Sequence, residues 1–148
     1  MKSLTQLVPD FREALEEGLE NATEKVVYDL KRDGPYWTGF FESLWEVNAG
    51  KRAVRPNVKN PLEVPKQPLT PSYTPVDVPK SENLNGYTIG NRAEYRLYAM
   101  DILKGERGRQ GGQSPNATAR PNWFDTYVNS KMPRVINSEL KNVFRRYS

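Results

Sequence analysis

The chain has no histidine and no cysteine among its 148 residues. That removes the commonest general base, the commonest imidazole metal ligand, thiol nucleophiles, zinc–thiolate sites and disulfides together. Proton transfer would fall to carboxylates, lysine, tyrosine or hydroxyls. Glu13 and Glu17 stand four residues apart, where two carboxylates share a helix face. Any solvated acidic helix carries the same spacing, so the pair does not specify general acid–base work. Gly105, Gly108, Gly111 and Gly112 lie among Lys104, Arg107, Arg109 and Arg120. The GxxxxGK[ST] order of a phosphate-binding loop is missing, and no strand clearly feeds the segment. Asn116-Ala117-Thr118 matches the glycosylation sequon, but Met1 to Asp10 carries no apolar signal region, so the match reads as chance. The expectation is a chain that is not an enzyme and has no catalytic, cofactor or metal site.

What these residue types can do instead is make contacts. The candidate interface residues are Tyr73, Val76 and Val78 in a proline-rich stretch, and Arg107, Arg109 and Arg120 in a basic Gly-rich one. The elements that would position them read as follows. Phe11, Leu15, Leu19, Ala22, Val26 and Leu30 recur every three or four residues, which predicts an amphipathic helix over Pro9 to Arg32. Asp10 is its expected N-cap, and Asp33-Gly34-Pro35 its stop. Glu13, Glu16, Glu17 and Glu20 in its first half and Lys31 and Arg32 at its end both suit the helix dipole. Gly18 reads as a weak spot costing about 1 kcal/mol relative to alanine. Tyr36, Trp37, Phe40, Phe41 and Trp45 make the most aromatic stretch, read mainly as core. Thr38 is expected to cap a short helical turn through Leu44, and Trp45 to Asn48 alternates like a strand. A second strand is expected over Leu84 to Asn91, and a short helix over Ala93 to Leu103. A C-terminal helix is expected over Asn122 to Tyr147, with Phe124, Val128, Met132, Ile136, Leu140, Val143 and Phe144 as its stripe. Pro133 should kink that helix or start a new one.

Between these elements the composition changes. Residues 50–82 carry Pro56, Pro61, Pro65, Pro68, Pro71, Pro75 and Pro79, so neither helix nor central strand can persist there. The segment should be an extended arm, able to reach on the order of 90 Å if fully drawn out. Val54, Val58, Leu62, Val64, Leu69, Tyr73, Val76 and Val78 give it apolar residues that a linker in solvent would not need. It is expected to lie on its own domain or on a neighbouring copy, the other reading being a disordered linker or a long surface loop. Residues 104–121 form the second irregular segment, the Gly/Arg-rich loop. The whole reads as a single domain over 1–148 of α+β class: a small antiparallel sheet flanked by an N-terminal and a C-terminal helix, with the long proline-rich extended arm.

Hydrophobic residues make up 36% of the chain, below the roughly 45–50% usual for a globular domain when glycine is counted. No apolar run approaches the roughly 20 residues that span a bilayer, so a soluble protein made in a cytoplasm is expected. The net charge of +4 is uneven. Residues 1–50 hold five basic residues against ten acids, and residues 51–148 hold 17 against eight. Such halves either attract each other between copies, head to tail, or are simply solvated faces. The basic balance also allows a nucleic-acid-binding protein. Against that, the aromatics cluster with the acidic half and do not interleave with the basic loop.

Three segments carry a resemblance. They are Pro35-Tyr36-Trp37-Thr38-Gly39-Phe40-Phe41-Glu42-Ser43-Leu44-Trp45, then Asn91-Arg92-Ala93-Glu94-Tyr95-Arg96-Leu97-Tyr98-Ala99 with Asp101 and Gly105 after it, and Asn122-Trp123-Phe124 at the closing helix. In this order the chain resembles phage tail-completion and head–tail joining (neck) proteins, including the minor tail protein Z type. Its Asn-to-Tyr-Ala spacing and its proline-rich insert are longer than that pattern. The resemblance implies a virion structural subunit made in the host cytoplasm and forming a ring of six or twelve copies at the head–tail junction. Its partners would be itself, other neck, portal or tail-tube proteins, and DNA passing through a central channel, with no cofactor and no membrane.

Overall fold

Leu4 to Asp33 forms one 30-residue helix, α1, in the computed structural model of the chain. The structure describes residues 4–36, 38–59, 65–67, 69–80, 86–100, 119–120 and 122–147. The helix begins five residues ahead of the expected Pro9. Leu4 and Leu7 continue the spacing of Phe11 and Leu15 upstream, so the period runs past the proline. Asp10 therefore lies inside the helix and is not its cap. No acid falls in the first turn, and the dipole's influence fades within that turn, so Glu13 to Glu20 are not placed to complement it. Lys31 and Arg32 do occupy the last turn, and Gly34 N–H closes the end on Leu30 O at 3.0 Å.

The buried line of α1 is Ala14, Gly18, Ala22, Val26 and Leu30. Leu15 and Leu19, expected on the stripe, are only partly buried, and Phe11 is 59% exposed. The difference lies in the small side chains. A Cβ on Gly18 would stand 2.7 Å from Leu140 Cδ2. Gly18 is therefore a place where the C-terminal helix packs closely on α1, and not merely a weak spot.

That helix, α5, spans Met132–Tyr147 and runs antiparallel to α1. Phe11 stacks on Phe144 with ring centroids 5.4 Å apart, Arg146 pairs with Glu17 at 2.7 Å, Lys25 pairs with Glu139, and Lys131 lies 3.7 Å from Asp33. The acidic front and basic back thus meet, in part, within one chain. Two short segments lead into α5. Helix α4 is Trp123–Thr126, and a π-helical turn follows over Tyr127–Lys131. Met132 N–H reaches back five residues to Tyr127 O. The wider turn makes room for the Pro133 ring and absorbs its missing donor. Pro133 thus stands in the first turn of a new helical element, the second of the two outcomes expected for it.

Helix α2 (Phe40–Ser43) and strand β1 (Trp45–Ala49) follow α1. Thr38 Oγ1 accepts a hydrogen bond from Phe40 N–H at 3.3 Å, close to the expected capping role. Strand β2 (Tyr87–Asn91) pairs antiparallel with β1, Trp45 opposite Asn91 and Ala49 opposite Tyr87. Helix α3 is only Arg96–Ala99. Expected positions Trp37, Leu84, Ile102 and Leu103 lie outside the described residues. The architecture is α+β: helices around a two-stranded antiparallel sheet, with long helices at the N- and C-terminal ends. The core gathers Val26, Val27 and Leu30 of α1, Phe41, Trp45, Val47, Ala93, Met100, Ala119, Trp123 and Tyr127.

Candidate functional site

The least expected feature of the core is a pair of charges. Lys31 is 3% exposed and Glu42 2%. Lys31 Nζ meets Glu42 Oε1 at 2.8 Å. Two charges removed from water are stable only when their remaining donors and acceptors are also met. Here Thr74, in the proline-rich segment, supplies four of these bonds. Its carbonyl accepts from Lys31 Nζ at 2.8 Å and its hydroxyl accepts from the same ammonium at 2.9 Å. Its N–H and hydroxyl donate to Glu42 Oε1 at 2.7 and 3.0 Å. One residue of the segment thus completes both halves of the ion pair.

The residues around Thr74 hold the same course. Tyr73 packs edge-on against Tyr28 and Tyr36, with centroids 6.1 and 5.9 Å away. Ser72 N–H donates to the Tyr36 hydroxyl at 3.2 Å. Val76 and Val78 pack on the core cluster, and Tyr87 O–H donates to Pro79 O at 2.7 Å. Residues 69–80 contain no helix or strand. From 72 to 79 they are bonded to or packed on α1, α2 and the sheet of their own chain. The backbone turn that exposes Glu42 to them depends on Gly39, whose φ is 86°. A Cβ there would also stand 2.8 Å from the Tyr36 hydroxyl.

Beside this seat, α1, α5 and the segment enclose a groove of about 370 Å³ lined by Tyr28, Lys31, Val76, Glu24, Lys25 and Glu139. The hydrogen bond to Glu139 holds the Lys25 ammonium above its ordinary pKa. Tyr127 O–H donates to Asp29 at 2.8 Å. Burial, that bond and the neighbouring carboxylates all push its phenol up.

Of the interface residues expected from the sequence, Tyr73, Val76 and Val78 are thus brought together against their own chain. Arg120 is exposed, on a separate pocket of about 520 Å³ shared with Arg32, Asp33 and Lys131. Arg107 and Arg109 lie outside the described residues. Lys31, Glu42 and Thr74 were missed. A lysine closing a helix reads as a dipole partner, and only the 43-residue return of Thr74 buries it. Among the described residues no group of acids could hold a metal ion, and no helix is long and apolar enough to cross a membrane.

The three segments that carry the family resemblance also meet. Asn91 Nδ2 donates to Phe41 O at 2.9 Å, and Asn91 Oδ1 accepts from Ala93 N–H at 2.9 Å. Tyr95 packs on Phe41 at 6.0 Å and on Phe40 at 6.5 Å. Trp123 Nε1 donates to Ala99 O at 2.8 Å, and Phe124 stacks on Trp45 at 6.4 Å. No family model, curated protein or solved structure matches the chain.

Proposed function

We propose that the chain is a structural subunit of a phage neck or tail, assembling as a ring at the head–tail junction in a tail-completion, terminator or connector role. One observation supports the reading: the three segments of the resemblance, far apart in sequence, pack together, Asn91 joining the first two and Trp123 and Phe124 the third. The unit also suits the task. A sheet with two long helices gives a stiff body, and extended segments fixed to it offer backbone and charged side chains to neighbours.

The test is sedimentation velocity of the purified chain over a concentration series, joined to gold-labelled antibody imaging of particles from producing cells. A discrete ring and label at the head–tail junction are expected. A monomer at every concentration, with no label on the particle, sinks the proposal.

The nucleic-acid-binding alternative draws on Arg32, Arg120 and Lys131 around one pocket. Asp33 lies within 4 Å of two of these cations, and the pocket's rings, Trp123 and Tyr127, are only 5% and 2% exposed. Base stacking needs an open aromatic face, so this reading is the weaker one. A steep salt dependence in filter binding to single-stranded DNA would favour it.

A further inference from the structure

Residues 51–59 form a cationic ribbon held to the outside of the sheet. Lys51, Arg52, Arg55 and Lys59 are exposed, whereas Val54 and Val58 are half-buried. The segment from Ala49 to Leu62 contains no acid. Val54 fills the space over Gly90, where a Cβ would stand 2.7 Å from Val54 Cβ. Val58 bridges to Ala93, its N–H donating to Arg92 O at 2.9 Å and its carbonyl accepting from Glu94 N–H at 2.8 Å. Asn48 Nδ2 holds the carbonyls of Arg52 and Ala53 at 3.1 and 3.3 Å. Among the described residues, none of the four cations forms an ion pair. Among the described residues the ribbon is therefore a row of cations without ion-pair partners, with Glu46 and Asp77 lining a pocket beside Arg52.

The matching charge lies on the other side of the molecule. Side chains alternate across a strand. Tyr87 and Ile89 pack on the core, so Gly90 and the ribbon above it occupy the opposite face. Helix α1 is on the core side, where Glu16 and Glu20 are close enough to raise the Tyr87 phenol. Glu13, Glu16 and Glu24 share the side of α1 that carries Glu20, turned from the Ala14–Gly18–Ala22 line, and none of the three is ion-paired among the described residues. The ribbon extends up to about 26 Å and the helix acids about 16 Å, so one can cover the other.

We propose that residues 51–59 are a docking surface for a second copy of the chain, which presents Glu13, Glu16 and Glu24 of its α1. The contact is head-to-tail, because the two surfaces face opposite ways and cannot meet within one chain. It rests on the ring reading above and names the contact that would build the ring.

The test uses two full-length variants, Lys51→Glu/Arg55→Glu/Lys59→Glu and Glu13→Lys/Glu16→Lys/Glu24→Lys, with circular dichroism to confirm that each stays folded. In sedimentation velocity each variant alone loses roughly tenfold or more of the wild-type self-association, and raised salt weakens the wild type. A one-to-one mixture restores assembly, because each variant then offers the surface the other lacks. If the wild type assembles and both variants do so equally well, this contact is wrong while the ring stands. If the wild type never assembles, both fall. If ribbon reversal spares assembly and abolishes only retention on single-stranded DNA, the ribbon serves a polyanion and the proposal is overturned.

Discussion

Lys31, Glu42 and Thr74 form a closed hydrogen-bonded set in which each member answers for the others. Breaking a buried pair leaves an uncompensated charge, at a cost of about 3–5 kcal/mol. Lys31→Met should lower stability by that order in urea melts, and Lys31→Met with Glu42→Leu should recover most of it. Thr74→Val keeps the backbone bonds and loses only the hydroxyl, so its cost should be nearer 1–3 kcal/mol. The tyrosines give a pH window. Burial raises the Tyr95 phenol to about 12, and burial with Glu20 and Glu16 raises that of Tyr87 to about 12. A raised folded-state value means their contribution is fully present below the ordinary pKa near 10. It is lost as pH rises from there toward about 12. Stability should therefore fall over that interval in alkaline melts, less steeply in Tyr87→Phe and Tyr95→Phe. None of the buried pair was legible in the sequence, because its burial is made by a residue remote along the chain. The apolar candidates Tyr73, Val76 and Val78 were legible, since such residues have no reason to punctuate a solvated linker.

Elements were easier to read where one period dominated. Helix α1 and helix α5 follow the three-and-four spacing of their apolar residues, and β1 follows alternation. The start of α1 was misplaced because Pro9 looks like a beginning, although the apolar spacing runs through it. The buried line was misplaced because bulk was taken as the sign of burial, whereas helix approach at Gly18 selects for smallness. Gly90 works in the same way. A methyl there would press into Val54, a branched side chain with little room to turn. Gly90→Ala should cost about 1–3 kcal/mol as overpacking does, and hydrogen exchange at Val58 N–H should rise as the ribbon loosens. Substitution by alanine at Gly86, around which there is open space, isolates the effect of positive φ from that of crowding.

At the scale of the whole molecule, Val58 and residues 72–79 of the proline-rich segment are part of the body on which the rest depends. Deleting residues 56–79 removes Thr74 from the ion pair, Val76 and Val78 from the core and Val58 from its bridge. Loss of cooperative unfolding is therefore the expected outcome of that deletion in thermal melts. The charge asymmetry divides as well. Arg146 of the basic tail is engaged by Glu17, whereas Lys51, Arg52, Arg55 and Lys59 of the ribbon are exposed. The π-helical turn at Tyr127–Lys131 has a longer reach than its five residues. Twelve residues of plain α-helix would put Glu139 about 120° from Tyr127, and one extra residue in the turn cuts that to about 20°. Both then point at α1, one to Asp29 and the other to Lys25. Excising a single residue from the turn would act like a misaligned gear: every tooth of the last helix would survive, and none downstream would mesh.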